Sequence, residues 1–204
     1  MEKVDYKKEL KHLYGGKAWV QTVVEVPKMN FLMVDGHGDP NTSKEYIDAV
    51  QAIYPVAYTL KFMCKKELGA DYGVMPLEGL WWARDMDAFQ NARKDEWSWT
   101  MMIMQPSCVT QEMVDRAIKE VSAKKKPASL SKVRFDSYEE GRAAQVMYLG
   151  SYSDEGPTIL KLHEFIKEQG GALEKTNKHH HEIYLGDPRR TEAAKLKTII
   201  RQPF

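Results

Sequence analysis

Residues Asn30–Pro40 read NFLMVDGHGDP, and the fold can be worked out from this stretch in both directions. Asn30–Gly36 is a short, mostly apolar run of the kind that forms a buried strand. The Gly36-His37-Gly38-Asp39-Pro40 cluster closes it as a turn. Ser43 then offers a hydroxyl to cap a helix. Tyr46, Val50, Ile53 with Tyr54, Ala57, Leu60 and Cys64 follow at helical spacing up to Gly69. Pro55 lies inside that pattern and predicts a kink or two abutting helices. Two strands are expected next, around Gly73–Trp82 and Trp97–Gln105. Thr110 then caps a helix with Met113, Val114, Ala117, Ile118 and Val121 on one face.

The pattern restarts after the lysine run at Lys124–Lys126 and Pro127. Gly141–Gly150 (GRAAQVMYLG) reads as a strand. Pro157 opens a helix whose buried face is Ile159, Leu162, Phe165 and Ile166, and Gly170-Gly171 stops it. Glu182–Leu185 and Leu196–Ile200 are further strands. Both halves thus run strand, glycine turn, helix, strand, strand, with MVDG at 33–36 matching MYLG at 147–150. The expected class is α+β, built as two pseudo-symmetric strand-helix-strand-strand modules sharing a groove. Alternating strands and helices also suit a parallel α/β fold, but strand pairs with no helix between them argue against it. Residues 1–20 read as an arm or short helix. The domain covers 21–204, with modules at about 28–106 and 140–204 joined by a helical linker.

Composition narrows the function. The chain has 204 residues, 43% hydrophobic and 29% charged, enough apolar material for a core. A formal charge of +1 supplies no global drive toward nucleic acid or anionic membrane. No apolar run approaches membrane-spanning length and the first residues do not form a signal core, so a cytoplasmic location is expected. Cys64 and Cys108 lie far apart and form no CxxC pair, which suits a reducing compartment, and Cys108 reads as a structural cysteine.

The residues that could carry chemistry sit on the strands. Strand alternation puts His180, Glu182 and Tyr184 on one face, and Ile183 and Leu185 on the other, toward the helices. A carboxylate and a phenol two residues apart can address one ligand; a strand with a wet outer face is the plainer alternative. The consecutive histidines at 179–181 cannot present three ligands from one face, so no metal is expected. Glu78, Leu80 and Trp82 share a face, as do Trp97, Trp99, Met101 and Ile103. Four of the five tryptophans therefore sit on two successive strands. Indoles offer flat walls to a planar aromatic or cationic guest, although core packing is their commoner use. Tyr148 and Tyr152 flank the second glycine turn and could close the groove. Phosphate-binding loops, a GxSxG elbow and a dinucleotide fingerprint are missing from the sequence, and no cofactor is expected.

EGLWW at 78–82, WSWTMMIMQP at 97–106, HHEIYLGDPRR at 180–190 and LKTIIRQPF at 196–204 together resemble the GyrI-like small-molecule-binding proteins. These are related to the effector-binding domains of multidrug-responsive transcription activators. The resemblance runs from about Gln21 onward and implies a pair of modules around an aromatic-lined groove with a central glutamate, here Glu182, and a companion tyrosine, Tyr184. Some stand-alone members hydrolyse cyclopropanoid DNA-alkylating compounds. The resemblance thus implies hydrolysis, with Glu182 handling water and Tyr184 or Tyr148 donating to the developing oxyanion. Glu78, Trp82, Trp97, Trp99, Tyr148 and Tyr152 would contact the ligand, with Glu78 a second carboxylate candidate. No DNA-binding segment is read ahead of the domain, so an activator role is not expected. The alternative is a drug-sequestering protein or one that occupies a partner such as DNA gyrase, a partner implied by family analogy alone.

Overall fold

The apolar run at Asn30–Gly36 forms the middle of a strand, Met29–His37, in the computed structural model, which describes residues 3–84, 93–173 and 179–204. In chain order the elements are β1 (Lys3–Val4), α1 (Tyr6–Glu9), α2 (Lys11–Tyr14), β2 (Thr22–Val26), β3 (Met29–His37), α3 (Lys44–Met63) with a π-helical turn (Cys64–Leu68), β4 (Asp71–Tyr72), β5 (Leu77–Ala83), β6 (Trp97–Gln105), α4 (Gln111–Lys124), β7 (Arg134–Tyr138), β8 (Gly141–Leu149), α5 (Gly156–Glu168), β9 (His180–Tyr184) and β10 (Lys197–Pro203). The class is α+β. No described helix is long and apolar enough to cross a membrane.

The chain divides into two compact units. The first comprises Met1–Tyr6, Met29–Met75 and Gly79–Tyr138; the second Lys7–Lys28, Pro76–Glu78 and Glu139–Phe204. In the first unit β3 pairs antiparallel with β6 and with β7. In the second, β8 pairs antiparallel with β2 and β10, and β10 with β9. Each unit thus has the same plan. Its first long strand is followed by a helix, and the last strand of the unit's strand-helix-strand-strand run pairs back onto it. An extra strand, β7 or β2, covers the other edge of that first strand.

Helix α3 begins where expected: the Ser43 hydroxyl accepts from the Tyr46 N–H at 3.4 Å. Its buried stripe is Ala49, Ala52, Ile53, Val56, Ala57 and Leu60. The helix is continuous through Pro55, so two abutting helices do not form there. Proline removes one donor, but the fully buried Ile53 and Val56 keep the helix continuous, since packing outweighs propensity in a tertiary helix. The helix widens into the π-turn and ends at Gly69, whose φ of 68° closes the last carbonyl. Thr110 caps α4 by accepting from Met113 N–H at 3.3 Å. In the second unit, α5 seals Leu162 and Ile166 against Ala144, Val146, Tyr148 and Ile200.

The glycine turn after β3 has a steric cause. A Cβ placed on Gly36 would lie 2.1 Å from the Trp99 ring, which is fully buried and whose Nε1–H donates to Gly38 O at 3.2 Å. Gly36→Ala is therefore expected to cost about 1–3 kcal/mol, the range for overpacking a sealed site. Urea unfolding would measure it, and a loss below about 0.5 kcal/mol would mean the indole can move aside. The turn after β8 is alike: Gly150, at φ +148°, leaves room for the Tyr148 ring, whose hydroxyl oxygen would lie 2.4 Å from an added Cβ.

Candidate functional site

Strand β9 alternates as expected, with His181 and Ile183 buried and His180, Glu182 and Tyr184 half-buried. Which face points to the helix is the reverse of the expectation. Glu182 pairs in register with Ile200, and Ile200 with Val146; both of those side chains belong to the cluster under α5. Glu182 and Tyr184 therefore lie on the helix-bearing face, and Ile183 on the other. Helix α5 packs chiefly over β8 and β10, which leaves the face of β9 partly open. Alternation fixes which residues share a face, but only the position of the helix decides which face it covers.

On this open margin the Glu182 and His180 side chains keep 16% and 15% of their surfaces exposed, with Oε1 3.2 Å from His180 Nε2. The other carboxylate oxygen, Oε2, has no protein hydrogen-bond partner among the described residues. Tyr184 stands edge-to-face with Tyr152, ring centroids 5.5 Å apart. Burial, with His180 adding to it, holds His163 on α5 down at about 4, so its imidazole is neutral at pH 7. His163 Nε2 is a buried polar atom without a hydrogen-bond partner among the described residues. One half-open carboxylate oxygen, two phenols and a neutral imidazole are thus gathered in this unit.

The opposite face of β9 and β10 carries a sealed polar chain. The Tyr14 hydroxyl donates to Glu78 Oε1 at 2.7 Å, and Glu78 Oε2 lies 3.0 Å from His181 Nε2. His181 Nδ1 lies 2.9 Å from Glu140 Oε1, and Arg201 Nη1 donates to Glu140 Oε2 at 2.8 Å. Arg201 also donates from Nε to Gln145 Oε1 at 3.0 Å and from Nη2 to Leu13 O at 2.6 Å, while Gln145 Nε2 donates to His12 O at 2.9 Å. None of Tyr14, Glu78, Glu140, Gln145, His181 and Arg201 is more than 3% exposed. Burial opposes charge on His181, but the Glu140 and Glu78 carboxylates outweigh it and raise its pKa to about 9. Burial likewise opposes ionisation of Glu140, and His181 and Arg201 outweigh it and hold it down at about 2. Two cations then face two anions, the condition under which buried charge is tolerated. Burial, with the Glu78 carboxylate beside it, pushes the Tyr14 phenol well above its ordinary value, so it stays a donor.

In the first unit Tyr46 of α3 stacks on Trp81 at 6.2 Å and meets Trp99 edge-on at 5.4 Å, while Trp81 meets Trp97 edge-on at 5.8 Å. Trp82 and Trp97 remain half-buried.

The sequence from 22 to 203 matches the GyrI-like small molecule binding domain. The chain belongs to the GyrI-like family. This GyrI-like domain is similar to a solved, uncharacterised conserved protein from Listeria innocua, with 40% identity, a TM-score of 0.87 and 98% of each chain covered. It is also similar to a hydrolase from Listeria innocua, with 38% identity, a TM-score of 0.83 and 98% of each chain covered. The EcmrR C-terminal domain, at 12% identity and a TM-score of 0.55 over 90% of this chain and 96% of that one, shares the fold. No curated protein matches the sequence.

Several positions expected at the ligand are engaged within the protein. Trp99 is sealed in the first unit's core, and Glu78 is sealed in the polar chain, where Tyr14 and His181 engage both of its oxygens. The Tyr148 hydroxyl donates to Ser151 O at 2.9 Å, so it is already engaged by its own turn. The Tyr148 ring meets Trp19 edge-on at 5.4 Å, and both line a cavity of about 310 Å³ with Asp154 and Lys161. Glu182, Tyr184 and Tyr152 are the expected residues that come together. Sequence reasoning missed the His181–Glu140–Arg201 chain. A signal was present: His181 shares its face with Ile183, and Arg201 directly follows the apolar pair Ile199-Ile200.

Proposed function

We propose that this GyrI-like domain is a hydrolase that opens the cyclopropane of planar cyclopropanoid alkylating compounds, with Glu182 as the catalytic carboxylate. The observation that carries the reading is the half-open Glu182, with one oxygen held by His180 and the other left for water. The similarity to a protein described as a hydrolase supports it. In a cyclopropane conjugated to a carbonyl, water held by Glu182 attacks a ring carbon and gives its proton to the carboxylate. The ring carbon–carbon bond breaks, and its electron pair moves through the conjugated system to the carbonyl oxygen. That oxygen takes a proton from Tyr184 or solvent. Tyr152 and Tyr184 offer ring faces and edges to a flat guest, and a cationic guest would be drawn to the carboxylate. Within the first unit, Trp82 and Trp97 keep part of their indole surfaces open and are proposed as stacking surfaces in their own right. The domain would act in the cytoplasm without a cofactor.

The test is incubation with a cyclopropanoid alkylator, following water addition by mass spectrometry. Ring opening well above the protein-free rate is expected. Binding detected by quenched tryptophan fluorescence, with no product formed, would establish the sequestering reading instead.

A further inference from the structure

The two cysteines lie 44 residues apart in the chain, yet the fold brings them together: Cys108 Sγ lies 3.9 Å from Cys64 Sγ. We propose that this pair is an oxidation site, at which a hydroperoxide oxidises Cys108 and Cys64 then resolves it to a reversible disulfide.

The two sulfurs are unequal. Cys64 is fully buried at the junction of α3 with the π-turn, and Cys108 is half-buried in the turn that leads to the Thr110 cap. Only Cys108 is open to an oxidant. Burial, with Cys108 beside it, pushes the Cys64 thiol up to about 11, so Cys64 stays protonated and is a poor first target. The Tyr72 hydroxyl lies 4.0 Å from Cys64 Sγ on its other side.

The chemistry balances in two steps. The Cys108 thiol attacks the peroxide oxygen, giving the sulfenic acid and an alcohol, or water when the oxidant is hydrogen peroxide. The Cys64 sulfur then attacks the sulfenic sulfur; the S–O bond breaks, and hydroxide leaves with the Cys64 proton as water. The peroxide is reduced by two electrons and the thiol pair is oxidised by two. To bond, the sulfurs must close from 3.9 Å to about 2.05 Å. Cys108 sits in a four-residue turn closed by Val109 N–H to Pro106 O at 3.0 Å. Cys64 starts a π-turn, the wider helical form with i→i+5 hydrogen bonds.

Hydrogen peroxide titration of the full chain tests this. The expected product is a monomer that has lost two hydrogens, with the Cys64 and Cys108 peptides linked in a non-reducing map and released by a thiol reductant. In Cys64→Ser a sulfenic acid is expected at Cys108, trapped by a dione probe; in Cys108→Ser no cross-link forms. Two free thiols persisting at peroxide levels that oxidise glutathione would overturn the proposal. So would a disulfide formed only between molecules, or Cys64 in Cys108→Ser being trapped as fast as Cys108 in Cys64→Ser.

Discussion

Arg201→Met should lower the unfolding free energy by about 3–5 kcal/mol, the size seen when one partner of a buried ion pair is removed. The methionine fills much of the arginine's volume but donates no hydrogen bond. Glu140 Oε2, Gln145 Oε1 and Leu13 O each lose their donor in a place that water cannot reach. Urea unfolding of the two proteins is the measurement. Replacing Glu140 by leucine in the same molecule should recover part of the loss, because the carboxylate that has lost its guanidinium is then gone. A loss under about 1 kcal/mol would mean that water enters the cluster or that another cation takes the arginine's place.

The same cluster sets the pH range of stability. His181 has a raised pKa in the folded protein, so its contribution is complete below the unfolded value of about 6.5 and is lost as the pH climbs through about 9. The size of that shift corresponds to roughly 3 kcal/mol. Glu140 works the other way: its contribution is complete above about 4.5 and is lost as the pH falls toward about 2. The cluster's own contribution is therefore greatest between about pH 4.5 and 6.5; His163, held down at about 4, lowers stability as the pH falls below about 6.5, so the maximum should lie near pH 6.5 with a decline on both sides. His181→Gln should be less stable at pH 6 and should lose the alkaline decline between about pH 7 and 9. An alkaline limb identical to that of the unaltered protein would assign it to another group.

Glu182→Gln should reduce turnover of a cyclopropanoid substrate by about 10²-fold or more, a usual size for losing a general base, while the fold is retained. The amide keeps the shape of the side chain and still reaches His180, so packing on β9 is unchanged. What disappears is the proton acceptor for the attacking water. Binding of an uncharged planar compound should change little, and binding of a cationic one should weaken. If turnover survives, the carboxylate is not the base. Glu78 is then a poor second choice, because both of its oxygens are taken inside the sealed chain and its replacement would first show as lost stability.

Much of this was readable from residue order. Apolar spacing located α3, α4, α5 and the long strands β3, β6 and β8, because each buries a continuous face. Four short strands escaped: β1 and β4, of two residues each, and β2 and β7. In β2 most of Thr22–Val26 is exposed or half-buried, and β7 has no fully buried residue, so neither carries the apolar alternation that marks a strand. The site divides in the same way. Sharing of a face follows from strand geometry, and Glu182, Tyr184 and His180 do share one. Which face a helix covers, and whether Trp99 walls a ligand or fills a core, depend on how distant segments pack. Gly36 and Trp99 show this: they face each other only once β3 has paired with β6. The proximity of Cys64 to Cys108 was equally invisible, since it depends on a long helix ending beside the turn that precedes another.

The place of β10 bears on how the protein is made. Although it is the last strand in the chain, it lies between β8 and β9, and its Arg201 bonds to Leu13, 188 residues earlier. During synthesis α2, β2 and β8 all emerge before it; β2 and β8 can pair with each other, but Leu13 O and the second edge of β8 wait for β10. Until then Glu140, Gln145 and Leu13 O have no guanidinium to bind, and β8 and β9 each present an unpaired edge. The second unit is thus completed only after residue 201 has been translated. Messages broken before codon 201 would yield a product with two open strand edges and a Glu140 carboxylate lacking its guanidinium, a species suited to capture by chaperones or proteases.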